Sequence, residues 1–135
     1  MTRREVLNVG AGMAGAALVT TFGFNRLAQA AETDETITQI AKFKLNMDKE
    51  EEAVAMLKEL CAAVEENEPG VLAYLCHRSA KKPEELVFFE IYKDAEAMKA
   101  HGRTPHLGKL RSKFASLFKP PLEVVRLDRV GGFTR

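Results

Sequence analysis

An α+β domain of split βαβ, ferredoxin-like order is what this sequence predicts, and three observations predict it. Beyond residue 35, strand-like and helix-like periodicities follow one another as strand, helix, strand, strand, helix in two pieces, strand. Turn and cap residues fall at the junctions between these segments. At 135 residues the chain has room for one domain with a core that needs no metal or disulfide staple.

The first strand is read over Thr36–Asn46, where Ala41, Phe43 and Leu45 alternate with Lys42 and Lys44. Asp48, with Glu51 three residues on, reads as the capping box of a helix. Its apolar stripe is Val54, Leu57, Cys61 and Val64, widened by Met56 and Leu60, and its many glutamates make a solvated face. Glu68-Pro69-Gly70 ends it, because proline cannot continue a helix. Val71–Ser79 is the second strand and Ala80–Glu84 a charged hairpin loop. In the third strand, Leu86–Tyr92, Val87, Phe89 and Ile91 form a wholly apolar face suited to packing on helices. Leu86, Phe88, Glu90 and Tyr92 form the other, mixed face.

Asp94 caps the next helix, which places Met98 and His101 on one side and closes at Gly102. Thr104 and Pro105 open a further helix with its own stripe of Leu107, Leu110, Phe114 and Leu117. Pro120-Pro121 breaks it, Leu122–Asp128 is the last strand, and residues 129–135 read as a tail. A four-stranded sheet with helices on one side leaves its second face open. Two copies packed face to face would cover it, which predicts a homodimer; the alternative is a cavity between face and helices in a monomer.

Composition is that of an ordinary soluble protein, with 46% apolar and 29% charged residues and a net charge of +1. No basic patch or charge block points to nucleic acid. The first thirty residues differ from the rest: Arg3-Arg4 is followed by a Gly/Ala-rich apolar run from Val9 to Phe24 and by Ala28-Gln29-Ala30. That run is shorter than the roughly 20 residues a membrane span needs. The small-x-small ending reads as a signal-peptidase site, and the TRREVL start resembles a twin-arginine export signal. The expectation is an exported, periplasmic or secreted protein cleaved near Ala30, without a stable membrane span; the alternatives are an uncleaved anchor or an N-terminal helix of the fold. Cleavage would remove three arginines and one glutamate, taking the net charge to about −1. Gly10-Ala11-Gly12-Met13-Ala14-Gly15 matches a dinucleotide fingerprint in letters only, since no strand precedes it and no βαβ unit surrounds it.

Glu68-Pro69-Gly70, Tyr74, His77-Arg78-Ser79, Phe89-Glu90-Ile91-Tyr92, Ala97, Ala100-His101 and Thr104-Pro105-His106 together resemble the antibiotic biosynthesis monooxygenase domain, in its small quinol-monooxygenase-like form. The likeness spans residues 36–128. It implies a dimeric α+β barrel of ferredoxin-like protomers. It also implies one of several activities: oxygenation of a quinol or polyphenol without metal or flavin, haem degradation, sugar-phosphate isomerisation, or none known. Tyr92 stands where many members carry tryptophan, which this chain lacks, and Ala41-Lys42-Phe43 occupies the region of a first-strand asparagine. Both departures argue against haem.

A cofactor-free oxygenase needs a base, a donor to the substrate anion and a dry pocket. The candidate bases are His106 and His77, with Tyr74, Tyr92 and His101 as substrate contacts and Glu90 holding an imidazole in one tautomer. Each has a plainer reading: a packed core histidine for His101, a local helix-start bond for His106, exposure for His77, an ion pair for Glu90, and core or interface packing for the tyrosines. The histidine spacings do not suggest a metal, and no cofactor is expected. Dioxygen and a small aromatic are the expected partners. The competing functions are a non-catalytic binding or stress-related module, and an isomerase or lyase on a small oxygenated metabolite. Cys61 and Cys76 form the only possible disulfide, and the sequence leaves it open whether they are bridged.

Overall fold

The computed structural model of the protein describes residues 35–133, so the expected export signal at residues 1–30 lies outside the described residues. The chain runs β1 (Ile37–Leu45), a 3-10 turn (Met47–Lys49), α1 (Glu50–Asn67), β2 (Val71–Arg78), β3 (Glu85–Tyr92), α2 (Ala95–His101), α3 (Pro105–Leu117) and β4 (Phe118–Leu127). The four strands form one antiparallel sheet in the order β2-β3-β1-β4, the ferredoxin-like arrangement. Among the described residues, no helix is long and apolar enough to cross a membrane.

Local signals set most of the helix ends. Asp94 accepts a hydrogen bond from the Ala97 amide at 2.8 Å, and Thr104 accepts one from Leu107 with Pro105 at the first helical position. The break between α2 and α3 therefore comes from a fresh cap. It leaves His101 at the end of one helix and His106 at the start of the next. At the start of α1 the cap differs from the expected one. Asn46, not Asp48, accepts from the backbone, and the chain takes a 3-10 turn before α1 begins. The Asn46 side chain also donates to the Ser116 carbonyl at 3.0 Å, a tie to α3 that Asp48 could not make.

The core lies between the sheet and the two longer helices. Leu57, Leu60 and Val64 of α1 and Leu110 and Leu117 of α3 close over Phe43, Leu45, Leu86, Phe88 and Phe118. Phe43 stacks on Phe88 at 5.9 Å and meets Phe118 edge-on at 5.1 Å. Each such side chain contributes on the order of 1.5–3 kcal/mol by leaving water.

The two faces of β3 are reversed from the sequence expectation. Leu86, Phe88, Glu90 and Tyr92 turn inward beneath the helices and are buried. The apolar Val87, Phe89 and Ile91 turn to the opposite face of the sheet. There Phe89 lies in one row with Leu75, Ile40 and Val125 across all four strands. On the inner face the matching row is Tyr74, Glu90, Gln39 and Arg126. Polar groups on a strand are thus placed under cover, where they can line a pocket.

Pro120-Pro121 does not separate helix from strand, as the sequence suggested, but lies inside β4. The pairing with β1 jumps from Lys44–Lys119 to Lys42–Glu123, and both prolines fall within that bulge. A bulge on an edge strand is where residues without an amide hydrogen cost no ladder bond.

Gly70 lets the start of β2 approach α2. A Cβ built there would lie 2.7 Å from the Ala97 Cβ, and the Gly70 carbonyl accepts from the Lys93 amide at 2.9 Å. Gly70→Ala should therefore destabilise the fold by about 1–3 kcal/mol, as overpacking does. Chemical denaturation would show this as a lower midpoint at unchanged slope; an unaltered midpoint would mean that α2 moves aside freely.

Candidate active site

Beneath α2 and α3, the inner face of the sheet encloses a cavity of about 290 Å³. Phe43, Phe88, Leu107 and Phe114 give it apolar walls, and Tyr74, Glu90, Tyr92 and His101 supply the polar groups. Leu122 and Val124 of β4 also line it and are about half exposed (54% each), which puts its mouth on the β4 side. A small cavity with a few convergent polar groups suits an aromatic molecule of one or two rings.

His101 is 6% exposed, and its ring lies 5.2 Å from that of Tyr74 and 5.4 Å from that of Tyr92. Its Nδ1 donates to the Glu68 carboxylate, 2.8 Å from Oε2. Since a carboxylate can only accept, the hydrogen of the neutral ring sits on Nδ1, and Nε2 keeps the lone pair. Glu68 is itself buried, with 8% of its side chain exposed, and its other oxygen, Oε1, bonds Nε2 of His106. One buried carboxylate therefore joins the two imidazoles that the α2–α3 break presents.

Glu90 is held differently. Its Oε2 accepts from the Gln39 amide at 2.6 Å and from the Tyr92 hydroxyl at 2.7 Å, and among the described residues neither a cation nor an imidazole pairs with it. Burial, reinforced by the Glu90 carboxylate, pushes the Tyr92 phenol above the usual tyrosine range, and the same two causes raise Tyr74. Both phenols stay protonated and act as donors at working pH.

Of the six residues singled out from the sequence, Tyr74, Glu90, Tyr92 and His101 come together around the cavity. His77 and His106 do not line it. His77 is exposed on the edge strand β2, beside the open groove between that strand and α1. His106 faces a separate cleft of about 140 Å³ between α1 and α3. The imidazole-holding carboxylate expected at Glu90 is instead Glu68, part of the Glu-Pro-Gly that ends α1. One signal pointed to it. Glu68 follows Glu65 and Glu66 at the C-terminal end of α1, where the helix dipole disfavours anions and the last turn offers no base. An acid kept there needs a partner elsewhere in the fold.

Cys61 and Cys76 are free thiols facing the groove between α1 and β2. Burial raises both, and Cys76, with Cys61 beside it and Arg78 offsetting in part, is pushed up to about 12. Each of these thiols and phenols holds its proton more tightly folded than unfolded. The stability they contribute is full below the unfolded thiol range, near 8.5, and is lost as pH climbs from there towards 12. Melting temperature should thus fall steadily between pH 8.5 and 11, as the unfolded chain's thiols and then its phenols ionise, with alkylation of the native thiols slow at pH 8. A flat melting temperature to pH 11 would contradict these shifts. Among the described residues, no three His, Cys, Asp or Glu side chains are arranged to hold a metal ion.

Residues 36–113 match the family model of the antibiotic biosynthesis monooxygenases. The chain belongs to that family. Among solved structures it resembles a Bacteroides thetaiotaomicron protein named for the family, at a TM-score of 0.70 and 24% identity over 76% of this chain and 97% of the other, a likeness of fold. A Caulobacter crescentus protein named likewise superposes at 0.68 with 26% identity, covering 73% of this chain and 93% of the other. A Mycobacterium tuberculosis protein superposes at 0.66, again with 26% identity, covering 73% and 99%. An uncharacterised Synechocystis protein is 26% identical over 91 residues, which is 67% of this chain and 61% of that relative's length. In this family member His101 borders the cavity and Glu68, outside it, holds the His101 ring.

Proposed function

We propose that this family member is a cofactor-independent monooxygenase of a quinol or similar small aromatic, working as a homodimer after twin-arginine export. The observation that carries the reading is the His101–Glu68 pair at the wall of a small, aromatic-lined cavity. A buried carboxylate that fixes Nδ1–H leaves Nε2 as a base aimed by its partner, the arrangement general-base catalysis uses.

The chemistry balances without an added reductant. A hydroquinone and dioxygen give a hydroxyquinone and one water: one oxygen atom enters the ring, the other is reduced to water, and all four electrons come from the substrate. His101 removes a phenolic proton, and the resulting phenolate is electron-rich enough to reduce dioxygen. The proton then leaves with the oxygen that becomes water. Neutral Tyr74 can donate to a substrate oxygen; Tyr92, whose one proton goes to Glu90, can only accept there, and the apolar walls keep the anion from bulk water.

Oxygen uptake by purified, metal-stripped protein with a panel of substituted hydroquinones tests the reading, with one equivalent of hydroxyquinone expected per dioxygen. Product formed equally well under anaerobic conditions would instead favour an isomerase, for which the same base would serve. Thermal stabilisation by the hydroquinones without any turnover would favour a binding module. The export part predicts that the protein recovered from the periplasm starts close to Ala31; recovery with residues 1–25 intact would refute cleavage.

A further inference from the structure

The mechanism above uses one end of the Glu68 cluster and leaves His106 without a task. Yet His106 bonds the opposite oxygen of the same carboxylate, and 17% of its side chain is exposed, against 8% for His101 and 8% for Glu68. His101 borders the inner cavity and His106 the outer cleft, so the cluster runs from the site towards the surface between α1 and α3. A single carboxylate can neutralise one imidazolium at a time, and two cations on it would repel each other in surroundings that screen poorly.

We propose that Glu68 and His106 form a proton exchanger for the site: a proton taken up by His101 from the substrate is matched by one released from His106 to water. The inference rests on His101 acting as the base. With the cavity empty, the cation on Glu68 is His106. When the substrate O–H bond breaks and the new N–H bond forms at Nε2 of His101, the N–H bond at Nδ1 of His106 breaks and its proton passes to water in the outer cleft. The charge of the cluster is the same before and after. A buried site is thereby spared a net positive charge at the moment it makes a phenolate. His106 and Glu68 are positioning residues in this scheme; neither touches the substrate.

Other charged groups act on each end of the cluster. Glu59 of α1 and Lys109 of α3, paired at 2.9 Å, border the cleft beside His106. Glu90, Tyr74, Tyr92 and Arg111 border the cavity beside His101. Lys93 and Asp94 lie along the groove that Glu68 also lines. None of these joins the two imidazoles; among the described residues Glu68 alone does.

Nitrogen-15 NMR of the protein labelled at histidine, titrated without substrate, tests the coupling. In the native protein each of the two ring signals should trace two inflections over a shared pH interval, the mark of sites that titrate as a pair. In His106→Asn the His101 signal should show one inflection. In Glu68→Gln, if it folds, each ring should show one inflection, independent of the other. Single, independent inflections in the native protein, or an identical His101 trace in His106→Asn, would overturn the exchanger. Because no substrate is present, that failure would leave His101 as base untouched. Loss of the base reading would show separately, as oxygen uptake surviving the removal of His101.

Discussion

Replacing His101 with asparagine should lower hydroquinone-dependent oxygen uptake by about 10²- to 10⁴-fold, the range for loss of a positioned acid–base group, with the fold intact. Asparagine suits the test because its amide can still donate to Glu68. A buried carboxylate stripped of a donor costs about 1–3 kcal/mol or more, so alanine would confuse lost chemistry with lost stability. Asparagine lacks the outer ring atoms, so the Tyr74 and Tyr92 rings, which pack on His101, lose that part of their contact. Steady-state uptake, with a melting curve on the same sample, separates the two effects. His77→Asn is the control: His77 is exposed on β2 outside the cavity, so its removal should leave uptake within a factor of about two. Uptake preserved in His101→Asn would show that the base lies elsewhere; uptake lost in His77→Asn would place it at the β2 edge.

The order of elements was legible because its signals are local. Asp94, Thr104 with Pro105, and the alternation in β1 each act within four residues, so a linear reading finds them. The face that β3 turns inward was not legible. Strict alternation defines two faces, but which one meets the helices depends on what else seeks cover. The wholly apolar face looked the better partner for helices. The structure places the mixed face there because Glu90 and Tyr92 satisfy each other, with Gln39, inside the protein. The Glu68 cluster was hidden for a different reason. Glu68 precedes His101 by 33 residues and His106 by 38, and only the return of the chain through β2 and β3 brings α2 and α3 over the end of α1. Sequence order showed which titratable groups the chain carries and on which elements. The tertiary pairing decides which imidazole meets the cavity.

Phe89→Asp should convert the proposed homodimer to a monomer at micromolar concentration, and this follows from the reversed face. The row of Leu75, Phe89, Ile40 and Val125 runs across the sheet on the side where, among the described residues, no helix packs, and Leu75 is 51% exposed. Phe89 is absent from the core cluster between sheet and helices, so changing it spares that packing. A second copy laid against this face would bury the row and supply a layer that the described residues lack, closing the sheets into a barrel. A carboxylate at its centre would be desolvated without a partner, a cost of about 2–5 kcal/mol that weakens association by roughly 30- to several thousand-fold. Sedimentation velocity on both proteins measures this directly. A monomeric native protein would refute the dimer, and a Phe89→Asp protein that stays dimeric would move the interface to another surface. The cavity opens beside β4 on the helix side of the sheet, so the monomeric variant should keep His101, Glu68 and the pocket walls in place. Its residual oxygen uptake would then report how far one protomer's site depends on the other.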